Sequence, residues 1–208
     1  MKPTNLEIGG VYQTEWDKRP YRIIGLDETE VFYDCLINDQ SWMFSGNRKK
    51  KCYFYRTSTS LFETKSTKVD HIPMNAEEQL FFRPDLVMRI GRTGQLNWNQ
   101  MNFASPDELD HYINAASLDE LTDQRIETDS IIVYPYGPAG GLKKGEKLIA
   151  ANSTFFSAAE LIWKCTEIQQ AVNSNSEDGI GLYRIGTEKG LPSYYIGSYF
   201  DNAGLLKD

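Results

Sequence analysis

The chain has 208 residues, of which 25% are charged, 40% are apolar and 12% are aromatic. These values are close to the globular average, which excludes collagen-like, low-complexity and wholly disordered chains. The formal net charge of −7 disfavours a general polyanion-binding protein, because phosphate backbones select clustered lysine and arginine. The length is compatible with one or two domains.

The charge is distributed unevenly along the chain. Residues 1–73 carry eleven basic and ten acidic residues, a net of +1, whereas residues 74–208 carry eleven basic and nineteen acidic residues, a net of −8. Aromatic residues are instead concentrated in the first part, with eleven from Tyr12 to Phe62. We therefore predict a small aromatic-rich β domain over residues 1–72 and an acidic α+β domain over residues 73–208.

The N-terminus and the cysteines favour a cytoplasmic location. Residues 1–7 lack the apolar segment of a secretory signal, and no run approaches the ~18 apolar residues that span a bilayer. Cys35, Cys52 and Cys165 are an odd number of widely spaced cysteines, which favours free thiols in a reducing compartment. Neither histidine has a partner at metal-ligand spacing, so we predict no metal site and no cofactor, although a carboxylate-only magnesium site would leave no mark.

Short runs of β-branched and aromatic residues, separated by glycine, asparagine and aspartate, predict strands throughout the first part. Their regular spacing indicates a meander or a small barrel of SH3 size. The polar segment 63–78 is the best linker candidate, with an ordered crossing as the alternative. The predicted strands lie at residues 11–16, 21–26, 30–36, 41–44 and 51–56.

Two serine capping boxes predict the main helices of the second part. One helix begins at Ser105 with Glu108 three residues on, and the other begins at Ser157 with Glu160 and ends near Asn173. The irregular alternation of helices and strands favours an antiparallel layer over a doubly wound sheet. The predicted class is α+β, an N-terminal small β-barrel or meander followed by an antiparallel sheet with two main helices. The sheet strands are predicted at residues 86–90, 131–136, 148–151, 181–185 and 193–199.

A weak internal repeat places an arginine between an apolar residue and an isoleucine. The three arginines are Arg22, Arg89 and Arg184, and each is followed by a polar turn and a returning apolar run. The repeat predicts three similar hairpins, although chance combined with the ordinary sequence pattern of hairpins is the simpler explanation.

A glycine-rich segment, residues 137–147, follows a predicted strand and contains three lysines. Exposed amides and lysines can hold phosphate, but no Gly-Lys-Ser/Thr ends the segment and no helix follows, so it is not a P-loop. A long hairpin loop is the simpler interpretation, and an anion-binding loop is the alternative. The ligand-binding candidates are these lysines, the repeat arginines and four aromatic residues: Lys143, Lys144, Lys147, Arg22, Arg89, Arg184, Trp42, Trp98, Tyr194 and Tyr195.

A run of four consecutive basic residues, Arg48, Lys49, Lys50 and Lys51, is followed by alternating aromatic residues. Cations beside such aromatics are typical of single-stranded nucleic-acid binding. The run also follows a turn, where lysines commonly solvate a sheet edge. Polyanion contact by these four residues is therefore the alternative interpretation.

Other groups of residues favour structural roles over chemistry. The uncharged segment 190–200 fits a buried strand pair or a recognition edge. The acidic residues between 107 and 123 fit helix N-terminal charges and solvated faces better than a catalytic carboxylate pair, and no nucleophile has an evident base, so no catalytic residue is predicted. Five aromatic residues fit either a barrel core or a cage for a cation or flat ring: Trp16, Tyr21, Tyr33, Trp42 and Tyr55.

The sequence favours a non-enzymatic cytoplasmic binding protein of the inhibitor or immunity type. An acidic part with aromatic-rich strands suits docking on a basic surface, because complementary charge speeds and directs association. The predicted partner is a protein with such a surface, and no membrane partner is expected. The alternative is a binder of a phosphorylated or nucleotide-like small ligand, such as a nucleotide or cyclic dinucleotide. An enzyme acting on such a ligand is the third possibility.

Overall fold

The structure is a computed structural model, and it describes residues 5–27, 29–37, 41–42, 52–99, 101–139, 141–172 and 179–199. Helices and antiparallel strand pairs are mixed along the chain, which confirms the α+β class. The chain divides into two compact units. Unit 1 contains residues 1–88 and 185–192, and unit 2 contains residues 89–184 and 193–208. The two units are thus interleaved along the chain, and the predicted domain boundary after residue 72 stays a prediction.

Unit 1 begins as an antiparallel meander. Its first three strands pair with their sequence neighbours, so that Tyr12 lies opposite Tyr21 and Tyr21 lies opposite Cys35. The third strand also pairs with two later strands, the fourth at its far end and the sixth at its beginning. These strands are β1 (Gly10–Thr14), β2 (Pro20–Leu26), β3 (Glu30–Ile37), β4 (Ser41–Trp42), β5 (Cys52–Tyr53) and β6 (Tyr55–Ser58).

The chain then returns to the start of the meander. Helix α1 (Thr59–Lys65) leads into β7 (Ser66–His71), which pairs antiparallel with β1. No pairing among the described strands closes this sheet into a barrel. Helix α2 (Ala76–Phe82) follows, so the segment 63–78 contains ordered elements, in agreement with the ordered crossing that was the alternative to a linker. Its polar sequence reflects the solvent exposure of β7, which lies at the edge of the sheet.

Aromatic side chains form the core of unit 1. Tyr21 and Tyr33 are buried and meet edge to face with ring centroids 5.1 Å apart. Phe62 of α1 is fully buried and contacts the rings of Tyr33 and Trp16. Trp16 and Tyr55 stay half-exposed at the margins of this cluster. Tyr21 and Tyr33 therefore belong to the core, which was one of the two interpretations open for the aromatic residues.

The turn between β1 and β2 is fixed by Asp17. One oxygen of its carboxylate accepts hydrogen bonds from the Tyr21 hydroxyl at 2.7 Å and from Arg19 Nε at 2.8 Å, and the other accepts from the Arg19 amide at 3.0 Å. These donors favour the charged carboxylate, and the bond from the Arg19 side chain is the largest cause. Together they hold the pKa of Asp17 well below its usual range.

We predict a pH-dependent effect for Asp17→Asn. Because the folded pKa is lowered, the carboxylate contributes stability above its unfolded pKa and loses that contribution as the pH falls toward the folded pKa. The variant should therefore melt below the wild type at neutral pH, and the difference should narrow below about pH 4. Thermal melting across this range checks the prediction, and a difference that stays constant down to about pH 2 would contradict it.

Unit 2 combines a mixed sheet with three helices among its described residues. The predicted antiparallel sheet is altered at one pairing, because β10 runs parallel to β14. The long connection between these strands contains helix α5, which makes a parallel pair possible. The elements are β8 (Arg89–Asn97), α3 (Pro106–Ala115), α4 (Asp119–Thr122), β9 (Arg125–Ile126), β10 (Ser130–Tyr134), β11 (Glu146–Ile149), β12 (Phe156–Ser157), α5 (Ala158–Gln170), β13 (Gly179–Glu188) and β14 (Leu191–Tyr199).

The two main helices begin where the sequence predicts. The hydroxyls of Ser105 and Ser157 each accept the backbone N–H three residues later, at 3.2 Å. Helix α5 ends at Gln170, a little before the predicted Asn173. Helix α5 packs closely against β8 at Gly91. A Cβ at this position would lie only 3.0 Å from Ile162 Cγ1, and the φ of +66° also favours glycine.

The arginine repeat corresponds to two hairpins rather than three. Arg22 begins the β2–β3 hairpin, and Arg184 precedes the turn between β13 and β14. Arg89 instead starts β8, which continues without a turn to Asn97. The tip of the β13–β14 hairpin, residues 185–192, belongs to unit 1, where Gly186 and Thr187 pair with β5.

Among the helices of the described residues, none has both the length and the hydropathy of a membrane span.

Candidate functional site

The three lysines of the glycine-rich segment lie on one hairpin of unit 2. Lys143 and Lys144 are in the loop between β10 and β11, and Lys147 is in β11. All three are exposed. The segment is a hairpin, as its simpler interpretation required: Gly137 donates to the Gly141 carbonyl at 3.0 Å, and Lys143 donates to the Pro135 carbonyl at 2.9 Å.

Two of the three arginines of the repeat are buried inside the protein. Arg22 lies in unit 1, is 1% exposed, and donates two hydrogen bonds to Glu78. Arg184 lies in unit 2, is fully buried, and has its guanidinium 6.0 Å from the centre of the Tyr194 ring. Arg89 is half-buried in β8, opposite Tyr183. The guanidinium groups of Arg22 and Arg184 are therefore enclosed by protein.

The aromatic candidates are also mostly internal. Trp98 is 3% exposed and Tyr194 is fully buried. Tyr195 is half-buried and stacks on Tyr183 with ring centroids 5.3 Å apart. Trp42 lies in β4, where its backbone pairs with Leu36. The structure thus brings Tyr194 to Arg184 and groups the three lysines, while the ligand-binding role of all these residues stays a prediction. The polyanion-contact candidates Arg48, Lys49, Lys50 and Lys51 lie outside the described residues.

Gln169, which the sequence analysis did not single out, stabilises the β10–β11 hairpin. This hairpin carries Lys143, Lys144 and Lys147 and is here called the lysine hairpin. The Gln169 side chain, 3% exposed near the end of α5, accepts from the Tyr136 N–H at 3.0 Å and donates to the Tyr136 carbonyl at 2.9 Å. These backbone groups follow the part of β10 that pairs with β14, so the amide of Gln169 takes the place of a strand partner. No sequence pattern signals such a contact, because it joins residues 33 positions apart.

We expect Gln169→Leu to destabilise unit 2 by about 2–3 kcal/mol, because it leaves a backbone N–H and a carbonyl without their partner. Amide hydrogen exchange at Tyr136 should accelerate with it. The matched control is Gln170→Leu at the exposed neighbouring position, where we expect a change within about 0.5 kcal/mol. Equal effects of the two substitutions would show that the Gln169 amide does not hold the hairpin.

The excess acid of the chain is concentrated and exposed in one stretch of unit 2. Residues 107–129, here called the acidic segment, contain eight acidic residues, one arginine and no lysine. Arg125 of this stretch pairs with Glu127. The acidic side chains are all exposed: Asp107, Glu108, Asp110, Asp119, Glu120, Asp123, Glu127 and Asp129.

The acidic segment is supported by a well-packed apolar layer. Leu109 and Ile113 of α3 and Leu118 and Leu121 around α4 are each at most 2% exposed. Ser117 has a φ of +52°, and the N–H of Leu118 donates back to Ile113, so the chain reverses tightly between the helices. The acidic side chains thus project from short, anchored elements and need little ordering when a partner binds.

An exposed aromatic residue lies among these charges. Tyr112 of α3 is 41% exposed, and its ring rests against Phe103 at 5.2 Å between centroids. The helical spacing puts Tyr112 one turn after Glu108, so a carboxylate and an amphipathic ring share one face of α3. Tyrosine is among the residue types enriched at the energetic centres of protein–protein interfaces.

Metal-ligating and thiol groups both occur among the described residues. No group of three or more His, Cys, Asp or Glu side chains there is arranged to hold a metal ion. Cys165 is fully buried in α5, and burial raises the pKa of its thiol, so it is not an activated nucleophile.

Unit 1 contains a groove of about 220 Å³, whose walls include Gln13, Thr64 and Ser66. None of the predicted ligand-binding residues lines this groove.

Comparison of the chain with protein-family models, curated proteins and solved structures finds no match.

Proposed function

We propose that the chain is a non-enzymatic binding protein of the inhibitor or immunity type. It docks through the acidic segment on a basic surface of a protein target and covers the functional site there. The observation that carries this proposal is the exposed stretch of eight acidic residues with Tyr112 among them. The buried free thiols of Cys35 and Cys165 suit a reducing compartment, so we propose the cytoplasm as the location.

The mechanism is occlusion. Exposed carboxylates raise the rate of encounter with a basic cleft and orient the approach. Tyr112 then fills an apolar recess of the target, where a desolvated aromatic ring contributes more than the charges at the rim. Because the acidic segment lies on short anchored helices, the bound conformation is already present in the free protein.

The alternative, a site for a nucleotide-like ligand, has weaker support. Small-molecule sites are concave and enclose most of the ligand. Lys143, Lys144 and Lys147 lie instead on an exposed hairpin, and Arg22 is occupied by Glu78. We therefore retain this alternative as an outcome of the experiments and not as a second proposal.

The test compares three immobilised baits in extracts of the native host. The first is the wild type, and the second removes five charges of the acidic segment. The third is a matched control that removes five exposed acidic charges of unit 1, so that both variants change the net charge equally. The segment variant carries Asp107→Asn, Asp110→Asn, Asp119→Asn, Glu120→Gln and Asp123→Asn. The control variant carries Glu15→Gln, Glu63→Gln, Asp70→Asn, Glu77→Gln and Asp85→Asn.

We expect one basic protein to be retained stoichiometrically by the wild type and the control, lost from the segment variant, and released by moderate salt. Purified target and wild type should then form a complex in which the activity of the target is blocked. Retention of the same proteins by all three baits would contradict the proposal, as would a complex in which the target stays fully active.

A further inference from the structure

Strand β11 is an exposed edge of the unit 2 sheet. It pairs with β10 on one side and with no other strand in the described part of the chain. Three of its four residues are exposed and Leu148 is half-buried. Ile149 presents an apolar side chain that is 57% exposed. An edge of this kind is a template on which another extended chain can pair.

The register shows which backbone groups of β11 point outward. Ala150 donates to the Asp129 carbonyl at 2.9 Å, so these two residues form a hydrogen-bonded pair of the antiparallel ladder. Hydrogen-bonded pairs alternate with non-hydrogen-bonded pairs, so every second residue before Ala150 also bonds to β10. Leu148 therefore faces β10, and the N–H and C=O groups of Lys147 and Ile149 face away from it. The outward Ile149 carbonyl accepts from Lys164 Nζ at 2.6 Å. The N–H and C=O of Lys147 and the N–H of Ile149 remain directed at the free edge.

Three lysines beside this edge, Lys143, Lys144 and Lys147, outnumber the one exposed carboxylate of the strand, Glu146. In the described part of unit 2, Arg125 pairs with Glu127 and Lys164 pairs with Glu160. The structure records no ion pair for Lys143, Lys144 or Lys147 within the residues it describes. Lys147 and Ile149 are two residues apart and so lie on one face of the strand. That face offers a cation followed by an apolar side chain.

The edge strand of unit 1 is protected in a way that β11 is not. A bulge interrupts the β1–β7 pairing between Val11 and Tyr12, which leaves Val69 of β7 as the extra residue. A bulge of this kind is a device that prevents edge pairing. Strand β11 has a regular register with β10 and no proline.

We propose that the β11 edge binds an extended acidic segment of a partner protein by β-strand addition. The N–H and C=O of Lys147 and the N–H of Ile149 pair with the incoming strand, while Lys143, Lys144 and Lys147 select acidic side chains on it. The favoured pattern is an acidic residue and an apolar residue two positions apart, opposite Lys147 and Ile149. This surface carries the opposite charge to the acidic segment and is independent of the function proposed above. Gln169 holds the hairpin ready for it.

The probe is a fluorescein-labelled octapeptide of alternating glutamate and valine, titrated with the full chain by fluorescence anisotropy. The matched peptide alternates lysine and valine. We expect the acidic peptide to bind and the basic peptide to show no binding. The triple variant Lys143→Ala/Lys144→Ala/Lys147→Ala should weaken binding by about tenfold or more. Lys18→Ala, at an exposed lysine of unit 1, should leave it within about twofold of the wild type.

Backbone pairing is tested separately from charge. Lys147→Pro removes the outward N–H without touching the β10 ladder, so it should abolish binding while Lys147→Ala only weakens it. If the proline variant melts early, the acidic peptide with N-methylated valines replaces it as the probe and should not bind. Equal binding of both peptides, or unchanged binding to the proline variant or the methylated peptide, would overturn the proposal. Two other results would also overturn the proposal, because each assigns the edge to another occupant. One is a dimer of this chain that Lys147→Pro dissociates, and the other is a rise in melting temperature with ATP that the triple variant abolishes.

Discussion

Glu78→Ala should lower the free energy of unfolding by about 3–5 kcal/mol, because it removes a hydrogen-bonded carboxylate from a buried arginine. Arg22 is 1% exposed, and its two terminal nitrogens donate to the two oxygens of Glu78 at 3.2 and 3.0 Å. Glu78 also accepts the N–H of Asn75 at 3.0 Å, which closes the capping box of α2. The substitution therefore takes two charge-assisted hydrogen bonds from a buried guanidinium and opens the start of a helix.

Chemical denaturation followed by tryptophan fluorescence measures this effect, with two variants that separate its causes. Glu77→Ala, at the exposed neighbouring position, should change stability by no more than about 0.5 kcal/mol. Arg22→Met/Glu78→Met removes both charges, so it should recover most of the loss that Glu78→Ala causes. The account of this pair fails if Glu78→Ala is as mild as Glu77→Ala, or if the double variant is less stable than either single variant.

Tyr112→Ala should weaken binding to the target by about 2 kcal/mol or more, which is roughly thirtyfold. The reason is that Tyr112 supplies an exposed aromatic contact among the carboxylates of the acidic segment. Tyr136→Ala is the matched control, because Tyr136 is 43% exposed against 41% for Tyr112 and lies on the lysine hairpin. Isothermal titration calorimetry with the target retained in the bait comparison measures both, and equal losses would deny Tyr112 its role as anchor.

Local patterns predicted much of the fold. The caps at Ser105 and Ser157 and the β2–β3 hairpin depend on residues close in sequence, and the structure places all three where the sequence did. The helix at Ala76–Phe82 was missed, although Asn75 and Glu78 carry the spacing of a capping box. Its polar surroundings favoured a linker, and composition overrode the local signal.

Non-local contacts account for the rest. Arg22 and Glu78 are 56 residues apart, and nothing in either neighbourhood marks the other as its partner. The same holds for Gln169 and Tyr136, and for the parallel alignment of β10 with β14. The location of the acidic surface could be predicted from the sequence more directly than these contacts, because exposed carboxylates need no partner in the fold. The net of −8 beyond residue 73 pointed to an acidic part, and the structure shows the exposed, anchored elements that carry it.

In the proposed function, the acidic segment steers this protein onto a basic target. Stopped-flow association with the retained target, at about 20 mM and about 500 mM salt, tests that claim most directly. We predict that the association rate constant of the wild type and of the unit 1 control variant falls more than tenfold with salt. The rate constant of the segment variant should start low and change little. A salt dependence shared by all three proteins, or absent from the wild type, would contradict the account.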